Sequence, residues 1–173
     1  METIYSQLPQ YKLINAEVGD LVTFGMYNQE SNVAPIEWYV IAKEGNKVML
    51  TTKHIIDAQP YSGSVTLPEW LEKTFRKDAF ADNESIAISE IFVLSRQQVD
   101  TYIEGKDFAA CEPTSFARSR GLRTNYADNY MWWISEASGS RHFVANQHGY
   151  VGRDVAEDDD VNGVRPGMWV SIE

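Results

Sequence analysis

Two rigid aromatic clusters enclose a polar tract late in this sequence, and they constrain the fold more than any other feature. The tract opens on Trp132-Trp133 and closes on Gly163-Val164-Arg165-Pro166-Gly167-Met168-Trp169. Short bursts of Gly, Asn, His, Tyr and Asp run between them. Indole rings are large and stiff and anchor cores, whereas the residues between them favour turns at a surface. Trp38, Trp132, Trp133 and Trp169 are therefore expected to form a supporting core. A packed frame that displays loops suits binding better than catalysis.

A chain of 173 residues fits one domain, and 43% hydrophobic residues suffice for a core. The expected division is an N-terminal extension over residues 1–17 and a folded domain over residues 18–172. The net charge of −10 repels phosphate backbones, which argues against a nucleic-acid partner. The densest basic stretch, Arg118 to Arg123, reads as a solvated helix end and loop. No run of 18 apolar residues is present, so no membrane insertion is expected. The first residues lack the charged and apolar regions of a secretory signal, which makes a cytoplasmic or phage-particle location the default expectation. The single cysteine, Cys111, cannot form an intramolecular disulfide. Its neighbours Ala109, Ala110, Glu112 and Pro113 do not activate it, so a semi-buried packing thiol is expected.

Strand patterns come first. Leu21 to Tyr27, Ile36 to Ile41 and Lys47 to Lys53 are rich in β-branched and aromatic residues, with a turn at Glu44-Gly45-Asn46. The middle is helical. Thr66 and Glu69 have capping-box spacing ahead of a stripe formed by Leu67, Trp70, Leu71, Phe75 and Ala79. Ile86 to Leu94 reads as a kinked strand. Ser95 and Gln98 repeat the capping pattern before a short helix ending near Gly105, and Thr114 to Arg120 predicts another, stopped by Gly121. Strands return at Tyr130 to Ile134, and at Arg141 to Ala145 and Tyr150 to Val155 around the turn Asn146-Gln147-His148-Gly149. Val164 to Ile172 reads as one closing strand, with Pro166 at an edge or bulge. This order indicates a single α+β domain of antiparallel strands with two or three short helices in the middle.

Several islands occur in a familiar order. They are Gly19 to Tyr27, Pro35-Ile36-Glu37-Trp38, Trp70-Leu71, Ile91 to Ser95, Pro113 to Ala117, Trp132-Trp133 and Gly163-Val164-Arg165-Pro166. Together they resemble a bacterial domain family of unknown function whose hallmarks are PIEW, WWLRSPG and VRPALW. The resemblance spans residues 18–172. That family looks like a relative of the C-type-lectin-like fold, which formylglycine-generating enzymes and phage-type receptor-binding proteins also use. It implies a C-type-lectin-like α+β domain with ligand-facing loops late in the chain. The sequence departs from the pattern after the double tryptophan, where Ile134 to Gly139 lack the family's arginine and proline. Leu67-Pro68-Glu69 likewise replaces an arginine-containing helix start. Arg165 matches, and between a strand and a proline it reads as a clamp on backbone carbonyls or a carboxylate.

Candidate chemistry is sparse. His54, His142 and His148 do not pair locally at metal-ligand spacings and read as independent histidines. The acidic run of Asp154, Glu157, Asp158, Asp159 and Asp160 lacks the twelve-residue calcium-loop pattern and reads as a solvated loop. Calcium at Asp158, Asp159 and Asp160 is the alternative. No nucleophile elbow or phosphate loop appears, and one cysteine cannot supply the pair that formylglycine-type oxidation requires. Tyr126, Asn129, Tyr130, Arg141, His142, Asn146, His148, Tyr150 and Arg153 crowd the late turns, and these residue types favour recognition surfaces. The expectation is a non-catalytic domain without a cofactor, binding a protein or glycan through loops between Asn125 and Asn162. The alternatives are a divalent-metal enzyme related to formylglycine-generating enzymes, and a structural module of a phage or mobile element.

Overall fold

A computed structural model describes residues 9–125 and 127–172 and shows an α+β architecture built on two five-stranded sheets. After α1 (Pro9–Asn15), strands β1 (Leu21–Asn28), β2 (Val33–Glu44) and β3 (Lys47–Thr52) form an antiparallel meander. Leu13 and Ala16, inside the expected N-terminal extension, are buried in the first core. The short β4 (Asp57–Gln59) leaves for the second sheet.

The predicted helix follows in three parts: α2 (Leu67–Trp70), a π turn over Leu71–Phe75, and α3 (Arg76–Ala79). Its buried residues Leu67, Leu71, Phe75 and Ala79 lie four apart. An α-helix rotates such positions progressively off one face, and the wider π turn brings them back. Thr66 accepts a hydrogen bond from Glu69 N–H at 3.4 Å, but the Glu69 carboxylate binds Lys73, so only half of the capping box forms.

β5 (Ala87–Val93) is followed by α4 (Arg96–Tyr102), whose Ser95–Gln98 capping box is complete. α5 (Ser115–Ser119) is capped by Thr114. The second sheet then gains β6 (Met131–Ser138), β7 (Arg141–Asn146), β8 (Val155–Glu157) and β9 (Asn162–Val164), and the chain returns to the first sheet as β10 (Pro166–Ser171). The sheet orders are β1-β2-β3-β10-β5 and β4-β9-β6-β7-β8. All pairings are antiparallel except β6 with β9.

Side chains alternate across a strand, and here neighbours in sequence enter different cores. Trp133 joins the first core with Trp38, Leu50 and Phe75, whereas Trp132 joins the second with Met49, Ile55 and Leu94. Each buried indole N–H finds a carbonyl: Trp38 that of Phe24, Trp132 that of Asn146, Trp133 that of Gln59. Trp169 differs from expectation, being only half-buried. Met168 and Val170 take the inward positions of β10, and Trp169 borders a shallow groove beside Glu44, Lys47 and Glu90.

Side chains occupy some backbone groups on both outer strands of the first sheet. Glu72 accepts from Ile91 N–H at 2.7 Å, and Arg76 donates to the Ile88 carbonyl at 2.6 Å. Asn83 accepts from Gly25 N–H at 3.0 Å. Sheet edges expose unpaired backbone groups that invite strand addition, and these contacts occupy some of them.

Two strand expectations are corrected. Tyr150 to Val155 is mostly loop, and β8 begins only at Val155. The turn at Asn146 does form, with Asn146 N–H bonded to the Tyr150 carbonyl. The next ladder bond, from Val144 N–H to the Asp154 carbonyl, skips an unequal number of residues on the two sides, so the segment between bulges out. The closing strand is broken at Arg165, where the chain changes sheets. Pro166 opens an interior strand paired on both sides rather than an edge, which is tolerated because it is the first residue.

Candidate functional site

The break at Arg165 is the best-defined polar feature. Its guanidinium is 2% exposed. It donates to the carbonyls of Thr52 (3.0 Å), Ala109 (3.2 Å) and Phe108 (2.7 Å), and it lies 5.2 Å over the Trp132 ring. Burial lowers its pKa from the ordinary arginine value. The expected clamp on backbone carbonyls is what this geometry performs, tying β3 and the Asp107–Ala109 turn to the last strands.

Cys111 is fully buried nearby, and desolvation pushes its thiol up to about 11. The folded value lies above the ordinary 9.0, so folding favours the neutral thiol. That contribution is complete below pH 9 and is lost as the pH rises to about 11. The expected result is a decline in unfolding free energy over this interval that is shallower in Cys111→Ala. Denaturant titrations at several pH values check it, and equal slopes would contradict a buried thiol.

A second buried charge was not singled out from sequence. Asp57, 1% exposed, accepts hydrogen bonds from the Tyr27 hydroxyl, Ala58 N–H (2.7 Å), Gln59 (3.2 Å) and Arg120 (3.3 Å). Burial, and then the Asp57 charge, raise the Tyr27 phenol. The cluster bolts β1, β4 and the end of α5 together. Its only sequence signal is an aspartate following two isoleucines.

The late residues with recognition chemistry fall into separate groups. Tyr126 lies outside the described residues. Asn129 and Tyr130 sit half-buried at the base of the loop that Asn125 organises by accepting from Ala127 and Asn129 N–H. Tyr130 lies under Arg118. Asn146 is occupied within the turn, accepting from His148 and Tyr150 N–H. His148, Tyr150 and Arg153 are exposed around that turn. His142 is instead half-buried, stacked on Tyr61 with centroids 3.6 Å apart and bonded to Asp158 at 2.7 Å. His54 bonds the Glu112 carbonyl at 3.1 Å.

The acidic run does not converge. Glu157 pairs with Arg141 at 2.6 Å, Asp158 with His142, and Asp160 with Arg123, while Asp159 is exposed. Among the described residues, no group of three His, Cys, Asp or Glu side chains could hold a metal ion. The basic stretch also disperses: Arg118 goes to Tyr130, Arg120 to Asp57, and Arg123 to Asp160.

Within the predicted interval lies an open cleft of about 420 Å³. Met131, Val144, Val155 and Ala156 supply its apolar lining, and Asp154 with the Arg123–Asp160 and Arg141–Glu157 pairs its charged lining. Asp154, Val155, Ala156 and Glu157 all line it, so it follows β8. Of the eight described recognition candidates, Arg141 alone lines it. Asn162 also lines it and was singled out only as a boundary. It is 5% exposed, yet its amide has no hydrogen-bond partner among the described residues. Its amide atoms keep contact with solvent at the lining, so their donors and acceptor are open to a ligand. No helix among the described residues is long and apolar enough to cross a membrane. Comparison with protein-family models, curated proteins and solved structures finds no match.

Proposed function

We propose that this is a non-catalytic binding domain that recognises a protein or glycan segment through the cleft along β8. The observation that carries this reading is the unpartnered Asn162 amide, which opens onto a cleft large enough for a few ligand groups. The walls support it. Arg123 and Arg141 are more than half exposed, and the recorded pairs engage Arg123 through Nη1 and Arg141 through Nε. Each side chain therefore keeps donors to offer. The relation to the C-type-lectin-like fold belongs to the same proposal and rests on the ordered sequence islands from Gly19 to Pro166.

The test is to fill the opening. Ala156 is half-buried in the lining, so Ala156→Trp should occupy the space while leaving the two cores in place. Glycan and peptide arrays probed with wild-type protein are expected to give signals that this variant loses, with its circular dichroism unchanged. Signals that persist in the variant would move the binding surface away from the cleft.

A further inference from the structure

We propose that the occupant of the cleft is an extended peptide segment carrying a lysine or arginine, laid against β8 as an added strand. This rests on the reading that the cleft is the binding site, and it names the ligand class.

The sheet edge supplies the first argument. β8 is the last strand of its sheet. The bonds from Val144 N–H to the Asp154 carbonyl (3.1 Å) and from Asp158 N–H to the Ser140 carbonyl (3.3 Å) fix which backbone groups face β7. Hydrogen-bonded and non-bonded pairs alternate in an antiparallel ladder. Val155 opposes Phe143 in a non-bonded pair, so its N–H and C=O point away from β7. Among the described residues no strand or side chain takes these groups, whereas Glu72, Arg76 and Asn83 occupy some of those on the outer strands of the first sheet. An open edge inside a binding cleft is the arrangement that strand addition uses.

Asn162 supplies the second. A carboxamide offers one acceptor and two donors, which complement the N–H and C=O of a single peptide group. The same amide would accept sugar hydroxyls, but the rest of the lining separates the two ligands. A sugar ring presents flat C–H faces that stack on aromatic rings, and none of the described residues that line the cleft is aromatic. Met131, Val144 and Ala156 offer instead an aliphatic surface for a flexible side chain.

Charge supplies the third. The lining carries Asp154, Glu157 and Asp160 against Arg123 and Arg141, an excess of one carboxylate. Asp154 has no ion-pair partner among the described residues. The chain as a whole carries −10. A lysine or arginine fits this setting, its methylene stem on the aliphatic lining and its charge at Asp154.

The experiment is selection of the full chain against a random phage-displayed peptide library, with a glycan array in parallel. The selected consensus peptide is then synthesised and measured by fluorescence anisotropy. Lysine- or arginine-containing peptides are expected. Asn162→Ala should weaken them about tenfold, the loss of one well-placed hydrogen bond, while leaving thermal stability equal, because the amide it removes opens to solvent and bonds no described residue. Val155→Pro removes only an N–H directed away from β7 and should also weaken them about tenfold. Peptides that bind wild type and both variants equally would overturn the inference. Glycan binding that Ala156→Trp abolishes, with no peptide selected, would overturn it too, while leaving the cleft as the binding site. No ligand from either library would remove both readings.

Discussion

Replacing Arg165 with methionine is expected to cost the fold about 4 kcal/mol. Methionine fills much of the same volume, so the loss isolates hydrogen bonding. Three carbonyls, those of Thr52, Phe108 and Ala109, would lose their donor in a site that admits almost no water. Each stranded acceptor costs about 1–3 kcal/mol. Relief from burying an uncompensated guanidinium offsets part of the sum, because none of the three acceptors is a carboxylate. Arg165→Lys should fare little better. An ammonium is a point donor, and it cannot reach three acceptors arranged around a planar fork. Urea unfolding followed by fluorescence provides the measurement, and a melting temperature lowered by about 8–16 °C is the thermal equivalent. A loss below about 1 kcal/mol in the methionine variant would mean that the three carbonyls do not depend on Arg165.

Gly163→Ala is expected to destabilise by about 3 kcal/mol, although it adds one methyl group. The cause is space. A Cβ at this position would lie 2.6 Å from Ile55 Cγ2, 2.8 Å from the Met131 carbonyl oxygen and 3.2 Å from Trp132 Cβ. An isoleucine methyl can shift, but the carbonyl belongs to β6, which β7 holds from its other side. Gly163 itself pairs with Ala58 on one flank and Trp132 on the other, so β9 cannot slide away. Close approach of three strands thus fixes glycine here. Equilibrium unfolding measures the effect. A variant as stable as wild type would show that β9 sits less tightly between its neighbours.

Local signals were the legible part of this chain. Ser95 and Gln98 marked a helix start, and Gly105 and Gly121 marked stops, both with positive φ. β-Branched and aromatic content located the first three strands. Arg165 was readable as a clamp from its place between a strand and a proline. What stayed hidden depends on residues distant in sequence. β4 has three residues, too few for any periodicity, and exists only because β9 pairs with it. The division of the closing segment into β9 and β10 follows from two sheets claiming adjacent stretches of chain. His142 looked like a display residue until Tyr61 came to lie against it. The cleft shared an interval with the expected loops, yet most of the polar residues named there serve the turns instead. Asn162 gave no signal, since a missing partner is a property of the assembled structure alone.

The segment Asn162 to Ser171 supplies an interior strand to each sheet, between β4 and β6 in one and between β3 and β5 in the other. Protein synthesis delivers this stretch after nearly everything it joins. Until it leaves the ribosome, each sheet lacks an interior strand and the buried indoles have no finished enclosure. Assembly of the domain is thereby deferred until this segment has emerged, and the nascent chain must be kept from unproductive association until then.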